Sequence, residues 1–221
     1  MEHEQRKEAL RRAEQLKETI HDYEAALPAI PTGFQQWPRI LQNQERIRSF
    51  LGATDRDWQN WRWHLKHRVT TTELLKRYLP LSPQQVAEID RTGELYRWAV
   101  SPYYLSLIDP DNPDDPIRCQ SIPSILECAD RTGTSDPMDE EHTSPAPAVT
   151  RRYPDRLIIN VTNQCAMYCR HCQRRRNIGE IDCATPRRDL EKALDYVRRN
   201  KEIRDVLLTG GDAFMLSNSE I

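Results

Sequence analysis

Two short apolar runs, separated by a polar loop and a helical pattern, constrain the fold more than any other feature of this sequence. The first run, Leu157-Ile-Ile-Asn-Val161, has the β-branched, apolar character of a buried parallel strand. The second, Asp205-Val-Leu-Leu-Thr209, also has the character of a buried strand and follows a helical stripe that runs from Leu190 to Val197. Strand, crossover helix and strand form a right-handed βαβ unit by strong default, so we expect an α/β fold.

The part of the chain before these runs predicts mainly helices. Apolar residues at steps of three and four predict helices over 1–27 and around 40–51, with their apolar faces in the core. Capping patterns predict a helix after Thr54 or the adjacent Asp55, and two further helices that start at Leu74 and Val86 after capping boxes at Thr70 and Ser82.

Two irregular stretches follow these helices. Closely spaced prolines occupy 110–116, and a polar, proline-containing stretch covers 130–150. We therefore expect a helical region with an irregular linker over 1–150 and an α/β domain that begins at 151 and reaches 221. Because one βαβ unit leaves a parallel sheet with open edges, we also expect the chain to be truncated.

Charge and composition argue against several classes of partner. The 221 residues carry 32 Lys and Arg against 34 Asp and Glu, so no global basic field predicts binding to nucleic acid or to a membrane. No apolar run approaches the ~20 residues that span a bilayer, and residues 1–12 lack the apolar core of a signal peptide. We expect a cytoplasmic protein, whose six cysteines are metal ligands or free thiols.

Three of those cysteines, Cys165, Cys169 and Cys172, lie in one loop directly after the first predicted strand. Thiolates suit zinc, copper(I) or iron-sulfur clusters, and three of them can hold three irons of a 4Fe-4S cluster while the fourth iron stays open to a ligand. A structural zinc site usually takes four ligands, so a zinc knuckle with His171 as the fourth is the alternative. The remaining cysteines are isolated and are expected to be free or partly buried thiols: Cys119, Cys128 and Cys183.

A glycine pair and an aspartate, Gly210-Gly211-Asp212, end the second predicted strand. The carboxyl ends of parallel strands are where the active-site loops of α/β proteins lie. Glycines permit close backbone approach, and the Asp212 carboxylate could accept an ammonium group. A simple turn is the alternative reading.

The cysteine spacing C-x3-C-x2-C resembles the signature of the radical S-adenosylmethionine superfamily. The longer stretch 150–180 resembles the lysine 2,3-aminomutase family and, within it, the glutamate 2,3-aminomutases most closely; segments 97–110 and 207–213 match as well. The resemblance implies a partial (βα)6 barrel, of which this chain holds the helical N-terminal region and the first βαβ unit. It also implies a 4Fe-4S cluster on the three cysteines, with S-adenosyl-L-methionine chelating the open iron.

The resemblance assigns further roles to individual residues. It places His171 near the adenine of S-adenosyl-L-methionine, and Gly210, Gly211 and Asp212 near its amino group. A second cofactor, pyridoxal 5'-phosphate, is implied close to Arg152, Tyr153 and Arg156, with Arg174 on the α-carboxylate of the substrate. Guanidinium forks suit both anions, although a solvated face or an ion pair with Asp155 is the alternative for these arginines.

The activity implied is the radical transfer of an α-amino group to the β carbon, most closely that of L-glutamate. The glutamate assignment depends on Gln173 and on the pair Asn163-Gln164, which resemble the glutamate subgroup of the family more than the lysine enzymes. L-lysine is the alternative substrate. Two other interpretations of the chain are an inactive remnant that binds only an iron-sulfur cluster and a module that binds zinc or nucleic acid. Family members are longer, so the lysine that binds pyridoxal phosphate is expected beyond 221, and Lys201 is no candidate. A flavodoxin or ferredoxin is the implied reductant, and the N-terminal helices could serve a homo-oligomer.

Overall fold

A computed structural model describes residues 2–130, 132–134 and 136–220, which form two compact units, 1–42 and 43–221. The first unit contains helices α1 (Glu2–Glu18) and α2 (His21–Ala26) and a 3-10 turn at Leu27–Ala29. Met1, the start of the predicted first helix, lies outside the described residues. The expectation that this helix has a core face is wrong, because its apolar side chains, such as Leu10 and Leu16, are more than half exposed.

Helix α3 (Gly33–Leu51) leads into the second unit, where short helices confirm most of the capping predictions. Thr54 and Ser82 each form a capping box with the residue three positions later. The cap between them is Thr71 rather than Thr70, since the Thr71 hydroxyl accepts from the Leu74 backbone N–H. The two later helices begin at Thr72 and Pro83, directly after their caps, rather than at Leu74 and Val86. The helices of this region are α4 (Asp55–Trp58), α5 (Trp61–Lys66), α6 (Thr72–Leu75), α7 (Pro83–Leu95), α8 (Pro102–Leu107), α9 (Pro116–Ser121) and α10 (Leu126–Ala129).

The predicted βαβ unit is confirmed. Strands β2 (Arg156–Thr162) and β3 (Asp205–Gly210) are parallel, with Leu157 opposite Val206, and α12 (Arg187–Arg199) connects them after the one-turn helix α11 (Arg175–Ile178). A two-residue strand that the sequence did not predict, β1 (Val149–Thr150), pairs antiparallel with β2.

Two apolar clusters hold the second unit together. One, on the helical side, includes Leu75, Trp98, Val100 and Ile108; the other packs the β2 side chains Leu157, Ile159 and Val161 against Ala193 of α12. The prediction that β3 is buried is wrong for Val206 and Leu207, which are 41% and 59% exposed, because β3 is an edge strand in the described sheet.

The fold class is confirmed as α/β with a three-stranded sheet, while the partial barrel stays a prediction. The boundary near 150 also stays a prediction; residues on both sides of it belong to the unit 43–221. The irregular stretch 130–150 contains Arg131 and Ser135, which lie outside the described residues, and a 3-10 turn at Glu141–Thr143. Among the described residues, no helix is long and apolar enough to cross a bilayer.

Candidate cluster and cofactor site

The cysteine loop and the glycine pair meet at the carboxyl edge of the two parallel strands. The loop begins where β2 ends, and the backbone N–H groups of Gly211 and Asp212 donate to the carbonyls of Thr162 and Gln164, the second over 2.8 Å. The contact requires glycine: a Cβ on Gly211 would lie 2.7 Å from the carbonyl carbon of Asn163, which is backbone and cannot rotate away. The predicted juxtaposition of these two motifs is therefore present in the structure.

The three loop cysteines lie within eight positions of the sequence, are partly buried and form no disulfide. Burial raises the pKa of Cys165 to about 11, and the negative charges of Asp212, Cys169 and Cys172 add to the effect. The pKa of Cys169 is also raised, by burial and then by Cys172. Like charges on adjacent thiolates repel one another, so this donor set is one that bound cations would stabilise.

The fit of the loop to a metal cluster comes from this donor chemistry. In the described part of the chain, no group of three or more His, Cys, Asp or Glu side chains is already arranged around a metal position. His171 is exposed and lines a cavity of about 530 Å³ together with Cys172 and Gln173. The donor chemistry therefore fits three soft ligands in one loop, and the described residues do not complete a four-ligand zinc site.

The segment between the first two cysteines is anchored in the helical core. Met167 and Tyr168 are 8% and 1% exposed, and the Tyr168 N–H donates to the Ala99 carbonyl over 3.1 Å. Met167 forms a backbone bridge with Val100. The sequence analysis missed this anchor, although two large apolar residues in an otherwise polar loop were a signal for it.

A partly buried carboxylate, Asp182, accepts hydrogen bonds from four side chains of this region. Its oxygens accept from the side chains of Arg68, Arg97, Gln164 and Tyr168, with Arg97 at 2.6 Å and Gln164 at 3.2 Å. Burial by itself raises the pKa of Asp182, but the hydrogen bonds outweigh this effect and lower the pKa from 3.8 to about 2. Among these hydrogen bonds, the one from Tyr168 contributes most and the one from Arg68 comes next. Asp182 is therefore an anion in the folded chain at neutral pH.

A second carboxylate, Glu127, holds the far end of the loop. It accepts two hydrogen bonds from Arg170, at 2.9 and 2.7 Å, and one from Arg175 at 3.1 Å. The Arg170 side chain is only 7% exposed, and its backbone N–H donates to the Gln120 carbonyl. The loop is thus fixed to the helical region on both sides, by residues that the cysteine motif does not include.

The arginines assigned to pyridoxal phosphate and substrate line one cavity of about 420 Å³, on the face of β2 and β3. Its lining includes Arg152, Tyr153, Arg156 and Arg174. The Arg156 guanidinium lies 5.0 Å from the centroid of the Tyr153 ring. Its Nε is 3.3 Å from the Asp155 carboxylate, so the alternative ion pair is formed as well.

Arg174 has an acidic partner that the sequence analysis did not find. Its Nε lies 3.2 Å from a carboxylate oxygen of Glu140, whose side chain is 2% exposed. Within the described residues, neither this nitrogen nor the two Glu140 oxygens forms a well-aligned hydrogen bond. One edge of the Arg174 guanidinium therefore faces a buried anion, while the same side chain also lines the cavity.

The Asp182 carboxylate predicts a specific acid sensitivity. Because its pKa is lowered on folding, its contribution to stability is complete above about pH 4 and is lost as the pH falls towards about 2. The shift corresponds to about 2 kcal/mol. We expect the difference in free energy of unfolding between the wild type and Asp182→Asn, measured by urea denaturation, to shrink by about that amount across this window. A difference that is constant with pH would contradict the lowered pKa.

The fold and the site define a class of protein: an α/β chain with three free thiols in a loop at the carboxyl edge of parallel strands, beside a glycine pair. The chain belongs to the family of the lysine and glutamate 2,3-aminomutases. Glutamate 2,3-aminomutase from Clostridioides difficile (strain 630) is 48% identical over 215 residues, which are 97% of this chain and 51% of that protein. L-lysine 2,3-aminomutase from Clostridium subterminale is 44% identical over 177 residues, 80% of this chain and 42% of that protein.

A putative L-lysine 2,3-aminomutase from Aquifex aeolicus (strain VF5) is 41% identical over 173 residues, 77% of this chain and 46% of that protein. No family model matches the chain. The chain spans about half the length of the curated relatives it matches.

Proposed function

We propose that this chain forms the cluster-binding part of a radical S-adenosylmethionine enzyme that uses pyridoxal 5'-phosphate to move the α-amino group of L-glutamate to its β carbon. The observation that carries the proposal is the contact between the three-thiol loop and the Gly-Gly-Asp end of β3. The relatives supply the reaction class, since those compared are named as 2,3-aminomutases.

Glutamate is favoured over lysine by the extent of the similarity. The relative named for glutamate matches 97% of this chain, whereas the relatives named for L-lysine match between 77% and 83%. Gln173 and the Asn163-Gln164 pair also resemble the glutamate subgroup of the family. Lysine 2,3-aminomutation is the alternative activity.

The thiols of Cys165, Cys169 and Cys172 would hold the cluster as thiolates. When bound, a 4Fe-4S cluster supplies the electron that cleaves S-adenosyl-L-methionine to a radical, through an iron that no protein ligand occupies. The Asp212 backbone N–H donates to the carbonyl of Gln164, the residue before Cys165, so the Asp212 carboxylate can accept the ammonium group of a ligand that sits beside this cysteine. Gly210 and Gly211 allow the backbone to approach the loop.

The cavity on the face of β2 and β3 would hold pyridoxal 5'-phosphate and the amino acid. Arg152 and Arg156 would bind the phosphate, because planar guanidinium groups donate to it in pairs, and Tyr153 lies beside them. Arg174 would orient the α-carboxylate of the substrate, and its Nε lies 3.2 Å from the Glu140 carboxylate. Confining both anions to one cavity positions the substrate amino group for transfer.

The electron that this chemistry needs calls for a low-potential donor, and we propose a flavodoxin or ferredoxin in the cytoplasm. Assembly into a homo-oligomer is proposed for the first unit, whose helices expose apolar side chains such as Leu16 and Tyr23. Neither nucleic acid nor a membrane is a proposed partner.

The proposal is tested by anaerobic iron-sulfur reconstitution of the full chain. We expect the reduced protein to give the electron paramagnetic resonance signal of a 4Fe-4S cluster, and the signal to shift when S-adenosyl-L-methionine is added. S-adenosylhomocysteine, which lacks the sulfonium charge, serves as the control ligand. A cluster whose signal ignores S-adenosylmethionine, or retention of zinc in place of iron, would contradict the proposal.

A further inference from the structure

We propose that Asp182 is the positioning residue of the cluster loop: its carboxylate ties the loop to the helical region and thereby fixes the spacing of the cysteine ligands. The inference rests on the proposed cluster. Asp182 lies downstream of the cysteine motif and is not itself a ligand. It acts only through the side chains that it holds.

The donors to Asp182 come from two different parts of the fold. Arg68 and Arg97 belong to the helical region, and Gln164 and Tyr168 belong to the cysteine loop. A single carboxylate therefore joins both parts. The Asp182 side chain is 19% exposed, so water competes little for these bonds.

Arg68 carries the restraint on to the first cysteine. While one of its terminal nitrogens donates to Asp182, the other donates to the backbone carbonyl of Cys165 over 2.7 Å and to the Tyr168 hydroxyl over 3.3 Å. The position of the Cys165 backbone thus depends on the orientation of Arg68, which Asp182 sets. The Arg68 side chain is only 11% exposed.

Tyr168 carries the restraint towards the second cysteine. Its ring is buried and lies 4.6 Å from the Arg97 guanidinium, and its hydroxyl donates to Asp182. Because Tyr168 directly precedes Cys169, a fixed ring limits where the Cys169 thiol can lie. The same carboxylate therefore restrains the backbone at two of the three ligands.

The network requires an anion. A carboxylate is acceptor-only and can receive all four donors, whereas the amide of asparagine offers one oxygen and presents N–H groups of its own to Arg68 or Arg97. Asp182→Asn keeps the size of the side chain but leaves two partly buried guanidinium groups without a counter-charge. We expect this variant to loosen the loop more than it alters the fold.

The test compares Asp182→Asn with a matched control, Asp155→Asn. Asp155 is also a partly buried aspartate paired with arginines, Arg156 and Arg204, but it lies at the opposite end of β2 from the loop. The full chain of each variant is reconstituted anaerobically, and circular dichroism of the apo chain shows whether it is folded. The readouts are iron and sulfide per chain, the electron paramagnetic resonance line shape with and without S-adenosylmethionine, and the rate of cluster bleaching in air.

We expect the Asp182→Asn cluster to bleach at least tenfold faster than the wild type, with a broadened signal, while Asp155→Asn matches the wild type. Tyr168→Phe removes one donor without changing the core, so it gives an intermediate effect in a folded chain and keeps the inference testable if Asp182→Asn does not fold. Wild-type spectra and bleaching rates in Tyr168→Phe and in folded Asp182→Asn would overturn the inference alone. A wild-type chain that binds no cluster would overturn the proposed function and, with it, the inference.

Discussion

Replacing Cys169 with alanine is expected to abolish binding of the iron-sulfur cluster by the reconstituted chain. In the proposed cluster each loop cysteine would hold one iron, and the described residues arrange no other group of ligands that could take its place. Cys169 would be the middle ligand, and it directly follows the buried Tyr168. Iron and sulfide analysis after anaerobic reconstitution should therefore show near-complete loss, together with loss of the visible absorbance.

The matched control for that loss is Cys183→Ala. Cys183 is a free thiol that follows the motif closely in sequence, but it is exposed and its described hydrogen bonds are made through its backbone. We expect this variant to bind as much iron as the wild type. Equal loss of iron in both variants would mean that the donor set is not Cys165, Cys169 and Cys172, whereas retention in both would point to adventitious iron.

The elements that local sequence determines were predictable. The β-branched apolar run of β2 and the amphipathic stripe of α12 have patterns that depend on near neighbours, and both are confirmed. β1 was missed because a two-residue strand has no periodicity and lies in a stretch of polar residues and prolines. The exposure of Val206 and Leu207 was missed because an apolar run does not reveal whether another strand covers it.

The residues that position the site could not be found from local patterns. Asp182 bonds to Arg68 and Arg97, which are 114 and 85 positions away, and no spacing rule connects them. The same holds for Glu140 beside Arg174. The motif itself was predictable, because the ligands of one cluster lie close together in sequence, while their supports come from the folded chain as a whole.

Replacing Gly211 with alanine is expected to destabilise the chain by about 3 kcal/mol or more, because the new methyl group would overlap backbone atoms that cannot move independently. A Cβ at this position lies 2.7 Å from both the Asn163 carbonyl carbon and the Gln164 nitrogen. Urea denaturation of the apo chain, followed by circular dichroism, measures the effect. Gly33→Ala is the control, since a Cβ there meets nothing within 4 Å, and helix α3 should gain slightly in stability.

The same variant separates two reasons for the glycine pair. If glycine is needed only so that a ligand can approach, the apo chain with Gly211→Ala keeps its stability and loses only its response to S-adenosylmethionine. If the packing of β3 against the loop is the reason, the apo chain itself is destabilised, and the cluster signal changes because the backbone hydrogen bond from Asp212 to Gln164 is displaced. The nearest described contacts of Gly211 are with the Thr162–Gln164 backbone, so we expect the second result. Apo stability equal to the wild type would show that strand and loop are not packed this closely in solution.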